Sequence, residues 1–282
     1  MPPTPTGIAA EAPIALPDRS GALRPPGSTP LTPGLFKELV LHLVKREIDT
    51  NHRMTVLGWA WPLTRQLVQL GVLVFIFGSV LDLGIENFAV FVFSGLLAWN
   101  WFSTGVGEAT GSLLAHRHLL YQPRLPPAVI PSVSVIVPFV DVLMALPVLV
   151  ILLQLEAGIP ATIVFIPVLV VVQLVLMAGI AWLTAAASVF LRDVPNIVGV
   201  GLNVLFYLTP VFYGLKVIPD QYAGLLKLNP LATIVSSYRA ILLGEQLPGT
   251  FAIVYCLAVA AALAVLGYLL FVRLQNRFVD NL

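Results

Sequence analysis

The sequence predicts an all-α integral membrane protein. It reads as six transmembrane helices, an N-terminal amphipathic helix in the membrane interface, and short re-entrant helices between spans five and six. Three observations predict this. Of 282 residues, 58% are hydrophobic and 10% are charged, where a soluble domain carries about 25% charged residues. Mean hydropathy is +0.94, too high for a chain of this size to cover itself with polar surface. The apolar residues also gather in runs that match a hydrocarbon core of about 30 Å, crossed by about 20 helical residues. These runs are continuous rather than alternating, which argues against transmembrane strands. The balance excludes a soluble catalytic domain and a nucleic-acid binder, and a net charge of +1 singles out no partner.

Residues 1–34 are rich in Pro, Gly, Ser and Thr and are expected to be a disordered tail. They lack the basic start and apolar core of a signal peptide. From residue 35 the composition changes and the membrane domain, 35–282, begins. Phe36, Leu39, Val40, Leu43, Val44 and Ile48 recur at helical spacing, with Lys37, Glu38, His42, Lys45 and Arg46 mainly opposite. Thr32–Pro33 marks the start. This helix is too polar to cross a bilayer. It suits the interface plane, or otherwise the surface of the domain.

The six spans are expected at 60–81, 88–108, 128–153, 161–190, 197–214 and 250–272. Orientation follows from the basic residues. With the N-terminus inside, only Lys216, Lys227 and Arg239 of the 15 Lys and Arg residues fall outside. Both termini are therefore expected in the cytoplasm. The segment 215–249 is outside by this topology yet mostly apolar. Pro219 and Pro230 can each start a short helix, Leu231, Ile234, Val235, Tyr238 and Leu242 form one face of the second, and Gly244 suits its end. Two short helices dipping back into the outer leaflet fit this length, under protein cover or beside a wet cavity.

Little in the sequence looks like catalytic chemistry. The glycine cluster Gly105, Gly107 and Gly111 carries no Lys-Ser/Thr, so it is no phosphate loop; small residues there suit close helix packing. His116 and His118 flank Arg117 without further ligands at metal-binding spacing. No nucleophile–base pair is recognisable. Cys256 sits inside an apolar run and reads as a packing residue. The chain is thus expected to hold no catalytic site, cofactor or metal of its own; if it transports actively, the energy comes from another subunit or an ion gradient.

Asp141 is the outstanding intramembrane polar residue, near the middle of span three. It is either a hydrogen-bonded helix contact or a proton site. Trp99, Trp101 and Phe102 of span two, and Phe206 and Tyr207 of span five, face either lipid or a pore, where aromatic rings stack on the apolar faces of sugars. The basic loop 112–127 carries Leu119, Leu120 and Tyr121 outside the spans. These residues either face a partner or dip into the interface.

The stretches VLGWAW at 56–61, FSGLLAWNWFS at 93–103, YQPRLPPAVIP at 121–131, VFLRDV at 189–194, LTPVFYGLKVIP at 208–219 and LNPLATIVSSYRAILLG at 228–244 occur in this order. In that order they resemble the transmembrane subunits of ABC-2 type exporters of lipid-linked polysaccharides, such as O-antigen, teichoic acid, capsule and cell-wall galactan. Pro62, directly after Trp61, departs from the family pattern. The resemblance implies a permease in the bacterial inner (plasma) membrane. It works as a homodimer with two ATP-binding cassette subunits, which bind the ATP and Mg. It also implies a coupling loop at Ala115, His116, Arg117, His118, Leu119, Leu120, Tyr121, Gln122, Pro123 and Arg124, with the amphipathic helix bordering the ATPase. The pore between the copies would be lined by Trp99, Trp101, Phe102, Phe206 and Tyr207. A polyprenyl diphosphate cargo would be drawn to Arg53, Arg65 and Arg124, unless these only reflect the positive-inside bias. An ABC-2 drug or lipid efflux permease is the alternative within the same fold. A membrane-embedded enzyme acting on polyprenyl phosphate would need clustered acids near the interface, which the sequence lacks.

Overall fold

A computed structural model of the protein describes residues 33–52, 60–81, 83–121, 125–214, 224 and 228–278, and all regular structure among them is helical. The expected tail, Arg53, the end of the coupling loop at 122–124 and most of the first expected re-entrant helix lie outside the described residues. The elements are α1 (Pro33–His52), α2 (Ala60–Leu73, continued by wide π turns over Val74–Val80), α3 (Phe88–Ala115) and α4 (Arg117–Leu120). They continue with α5 (Val129–Ile136), α6 (Phe139–Glu156), α7 (Ile166–Phe190), α8 (Val194–Leu208), α9 (Pro230–Leu243) and α10 (Thr250–Leu274).

Five of these segments are long and apolar enough to cross a membrane: Ala60–Val80, Phe88–Ala115, Val129–Glu156, Ala161–Phe190 and Thr250–Arg277. This is a multi-pass membrane protein. The run expected as the fifth span forms only the 15-residue helix α8, about 22 Å long at 1.5 Å per residue, followed by turns and bends over 209–213. Pro62 falls in the first turn of α2, where its missing N–H costs nothing. The third span is not continuous. Pro138 cannot donate to a carbonyl one turn back, so the helix stops after Ile136 and restarts as α6.

The centre of the bundle is α3, the most deeply buried of the long helices. Side-chain contacts set the helix directions. Gln173 Nε2 of α7 donates to the Ala98 carbonyl at 2.8 Å, and Thr110 Oγ1 donates to Thr184 Oγ1 at 2.9 Å. Both pairs advance together, so α3 and α7 are parallel. Trp182 meets Tyr268 with ring centroids 5.3 Å apart, and Phe190 meets Phe278 at 6.2 Å. Hence α10 is parallel to α7. The return helices α6 and α8 run antiparallel to α3. Glu156 at the end of α6 accepts from the Val90 N–H at the start of α3, at 3.3 Å. Phe206 of α8 meets Trp99, at 5.4 Å between ring centroids.

Helix α9 lies at the end of the bundle where α3, α7 and α10 begin. Thr162 Oγ1 donates to the Ile241 carbonyl at 2.6 Å. As the sequence suggests, Pro230 opens the helix and Gly244 ends it at φ 69°; the structure adds an Asn229 cap, whose side chain accepts from the Leu231 N–H at 3.0 Å. The expected face, Leu231, Ile234, Val235, Tyr238 and Leu242, is buried throughout. The opposite end is closed by a second apolar cluster. There Val40 of α1, Leu119 and Leu120 of α4, Val129 of α5, Val189 of α7 and Phe271 of α10 are buried together.

Candidate functional site

An aromatic run links the interior of the bundle to its surface. Phe102 meets Trp99 with ring centroids 5.8 Å apart, Trp99 meets Phe206 at 5.4 Å, and Phe206 meets both Tyr207 at 5.4 Å and Phe212 at 5.8 Å. Phe212 then stacks on Phe77 at 5.0 Å. Phe77 lies in the π turns of α2, which widen the helix and re-aim its side chains beside α8. The run passes from buried Trp99 to Tyr207, which is 67% exposed.

Trp101 stands apart from this run. Two residues along a helix rotate a side chain by about 200°, so Trp99 and Trp101 leave α3 on opposite sides. The Trp101 indole N–H donates to the Val135 carbonyl at 3.0 Å, and its ring packs on Phe139 at 4.7 Å. Phe102 and Trp101 are both buried within the single chain.

The backbone that carries the exposed end of the run is held by side chains. A helix leaves its last four carbonyls unpaired, and each one in α8 finds a donor. Leu205 accepts from Thr209 Oγ1 at 2.8 Å, Phe206 from the Thr209 N–H at 3.3 Å, Tyr207 from the Tyr213 hydroxyl at 2.8 Å, and Leu208 from Asn229 Nδ2 at 3.4 Å. Arg239 of α9 takes the next two. It is 3% exposed; Nη1 donates to the Pro210 carbonyl at 2.6 Å, Nη2 to Val211 at 2.5 Å, and Nε to Phe91 of α3 at 3.0 Å. Its guanidinium also lies over the Phe91 ring, 3.5 Å from the centroid. From sequence alone Arg239 counts only as an outer charge. Its signal was an arginine in line with the apolar face of SSYRAILLG.

A polar strip runs along α3 toward the α4 end. Asn100 Nδ2 donates to Gln69 Oε1 of α2 at 3.3 Å, and Ser103 Oγ to the Asn100 carbonyl at 3.3 Å. Glu108 lies further along the same helix, with Asp141, Glu47 and Arg65 in its neighbourhood. Asp141 sits in the first turn of α6, just past the Pro138 break. A carboxylate there offsets the positive end of the helix dipole. Arg65 is exposed on α2. Arg53 and Arg124, the other two candidates for attracting a diphosphate, lie outside the described residues.

At the α4 end, the predicted coupling loop divides. Leu119 and Leu120 are buried against α1 and α5, so they anchor the loop rather than present it. Arg117, His118 and Tyr121 are exposed, Tyr121 at 62%. His116 ends α3, with its backbone N–H on the Ser112 carbonyl at 2.9 Å, and Ala115 is the last residue of that helix. Gln122 and Pro123 lie outside the described residues. On α1, Val40 is buried while Phe36, Leu39 and Leu43 are half-buried, and Lys37, Lys45 and Arg46 are exposed. The apolar face of this helix packs on α5.

Comparison with known proteins places this architecture. The ABC-2 type transporter family matches residues 38–243. The O-antigen export system permease protein RfbA of Myxococcus xanthus is 31% identical over 250 residues, covering 88% of this chain and 96% of that protein. Two permeases of the same name from Klebsiella pneumoniae are 26% and 25% identical, each again over 88% of this chain and 96% of their own length. A family match over most of the chain, on a bundle of apolar spanning helices, has one consequence: the chain belongs to the ABC-2 type transporter family.

Proposed function

We propose that this chain is the permease subunit of an ATP-driven exporter that moves a lipid-linked polysaccharide, carried on a polyprenyl diphosphate, out of the bacterial cytoplasm. The observation that carries the reading is the aromatic run from Trp99 through Phe206 to the open ring of Tyr207. Sugar rings have an apolar face that stacks on such side chains, and the run lies on a bundle whose relatives are named for O-antigen export.

The chain crosses the membrane six times in this reading. Helices α7 and α10 are parallel neighbours, so the chain must return between them. Helix α8, extended by residues 209–214, makes that return as the fifth crossing. The basic residues put both termini in the cytoplasm, and α9 then lies re-entrant at the outer side. Two copies of the chain form the pathway between them, with Tyr207 and Phe206 toward it. Two separate ATPase subunits bind ATP and Mg. They meet the loop Ala115–Arg124 through Arg117, His118 and Tyr121, beside Lys37, Lys45 and Arg46 of α1. Arg53, Arg65 and Arg124 attract the diphosphate from the inner leaflet.

Deletion of the gene is expected to strip the polymer from the cell surface while the lipid-linked form accumulates inside; normal surface polymer would refute the reading. The Phe206→Ala/Tyr207→Ala pair should cut export about three- to tenfold, on the scale of lost aromatic stacking, at unchanged protein level. For the loop, Tyr121→Asp should abolish co-purification of the ATPase and leave the fold intact. Leu120→Asp should instead lower the yield of folded protein, because it buries a carboxylate without a partner. Full ATPase recovery with Tyr121→Asp would remove the loop from the contact.

A further inference from the structure

Consecutive helices usually pack together, yet α6 and α7 hardly touch along their length. Helix α9 plugs one end of the gap through the Thr162–Ile241 hydrogen bond. Beside α9 a crevice of about 80 Å³ remains, floored by Trp101 of α3 and walled by α6, Val170 of α7, and Tyr238 and Leu242 of α9. Its rim carries Leu143 and Leu146, 47% and 36% exposed on a spanning helix. The mouth therefore opens sideways into the bilayer.

Two polar features single this crevice out. Tyr238 is 8% exposed and lines the crevice, and its hydroxyl is not among the enclosed polar atoms left without a partner, so it stays open to the crevice. A phenol so placed offers a donor to whatever fills the space. Pro147 lies inside α6 between the crevice residues Leu146 and Leu149. It has no N–H for the Leu143 carbonyl, so the helical hydrogen-bond ladder of α6 is interrupted beside the opening. Apart from Ser94, whose hydroxyl donates to the Phe91 carbonyl at 3.0 Å, the remaining walls are apolar, which gives water no stable place, and an empty void would forfeit dispersion contacts. The solvent at the mouth is hydrocarbon. The depth is also defined. Arg239, next to Tyr238, reaches Phe91 in the first turn of α3. The crevice runs from Ser94 to Trp101 of α3, so the phenol lies in the half of the bundle on the α9 side.

We propose that this crevice binds one acyl chain of a glycerophospholipid from the leaflet on the α9 side, with the chain's ester carbonyl accepting a hydrogen bond from the Tyr238 hydroxyl. The bound chain closes the gap between α6 and α7 and braces α9. The site is independent of which cargo the exporter carries.

The test uses the full chain in detergent, delipidated and then titrated with dioleoyl phosphatidylethanolamine or its diether analogue, with bound lipid counted by native mass spectrometry. Leu146→Trp and Val170→Phe, which fill the crevice, should each lower retention of the tightest lipid about tenfold. Val265→Trp, on the 57% exposed lipid face of α10, should leave it unchanged. Tyr238→Phe should weaken retention of the ester lipid and not of the ether lipid. Wild-type retention in both filled variants, or equal loss of ester and ether lipid in Tyr238→Phe, would overturn the proposal. So would displacement of the phospholipid by undecaprenyl phosphate at equal mole fraction, which would give the crevice to an isoprenoid chain. Thermal melting of each variant separates a lost site from a lost fold.

Discussion

Replacing Arg239 by Met is expected to destabilise the protein by on the order of 4 kcal/mol, because hydrogen bonds to a charged donor contribute about 1.5–3 kcal/mol each. The guanidinium serves three carbonyls, on Phe91, Pro210 and Val211. None of these can turn to water once the side chain is gone. The fit is close on the other side as well: a Cβ on Gly95 would stand 2.8 Å from Nη2 of Arg239 and 2.8 Å from the Val211 carbonyl. Gly95→Ala should therefore produce a milder form of the same defect. Lysine carries three donors on a compact ammonium rather than a planar fork, so Arg239→Lys should recover about half of the loss. The measurement is unfolding by SDS titration in mixed micelles, beside export in cells. Because Arg239 holds the backbone that leads out of α8, export should fall with stability. A Met variant with the wild-type midpoint would show that the arginine is dispensable to the fold.

How this came to be missed in the sequence is a matter of which forces leave a local trace. Spanning helices must be continuous and apolar because lipid offers no hydrogen bonds. Such runs are therefore legible as long apolar helices, and the structure has them at Ala60–Val80, Phe88–Ala115 and Ala161–Phe190. The ends of α9 are legible too, since Pro230 and Gly244 act within a few residues of where they stand, whereas the Asn229 cap emerges only from the structure. The break at Pro138 leaves no trace in the hydropathy of span three, so Asp141, which occupies the first turn of a new helix, looks mid-span from sequence.

Facing is harder to read in a membrane, because apolar residues serve both lipid and core. Trp99 and Trp101 look equivalent in AWNW, yet one joins the run to Tyr207 and the other donates to Val135. Leu119 and Leu120 look like bait for a partner, yet they are buried with Val40 and Phe271. Nothing local distinguishes these cases, since the neighbour that decides each one comes from a distant helix. The glycines make the same point. The cluster Gly105, Gly107 and Gly111 drew attention by its spacing, and of the three only Gly105 is tightly enclosed, by Met177 and Val135. The tightest glycine contact among the described residues involves two solitary glycines, one in each of two apolar runs.

Gly179→Ala and Gly267→Ala should each cost more than about 3 kcal/mol, the upper range for overpacking a well-packed core. A Cβ on Gly179 would lie 2.5 Å from both the Ala264 nitrogen and the Leu263 carbonyl carbon, and a Cβ on Gly267 would collide with the Gly179 carbonyl oxygen. Those neighbours are backbone, so relief requires α7 and α10 to move apart as whole helices. Gly105→Ala gives the internal contrast. Its nearest neighbour is the Met177 methyl at 2.5 Å, the free end of a flexible side chain, with the Val135 backbone at 3.4 Å; about 1 kcal/mol is expected there. The double variant of Gly179 and Gly267 should cost less than the sum of its parts, because one separation relieves both collisions. The same separation would pull Phe278 from Phe190 and Tyr268 from Trp182, loosening the end of the bundle where α1 and α4 are seated. Export and ATPase association should therefore fall together in these variants, in proportion to the shift in the SDS midpoint. Midpoints in both alanine variants within about 1 kcal/mol of wild type would mean that α7 and α10 pack less closely than the structure places them.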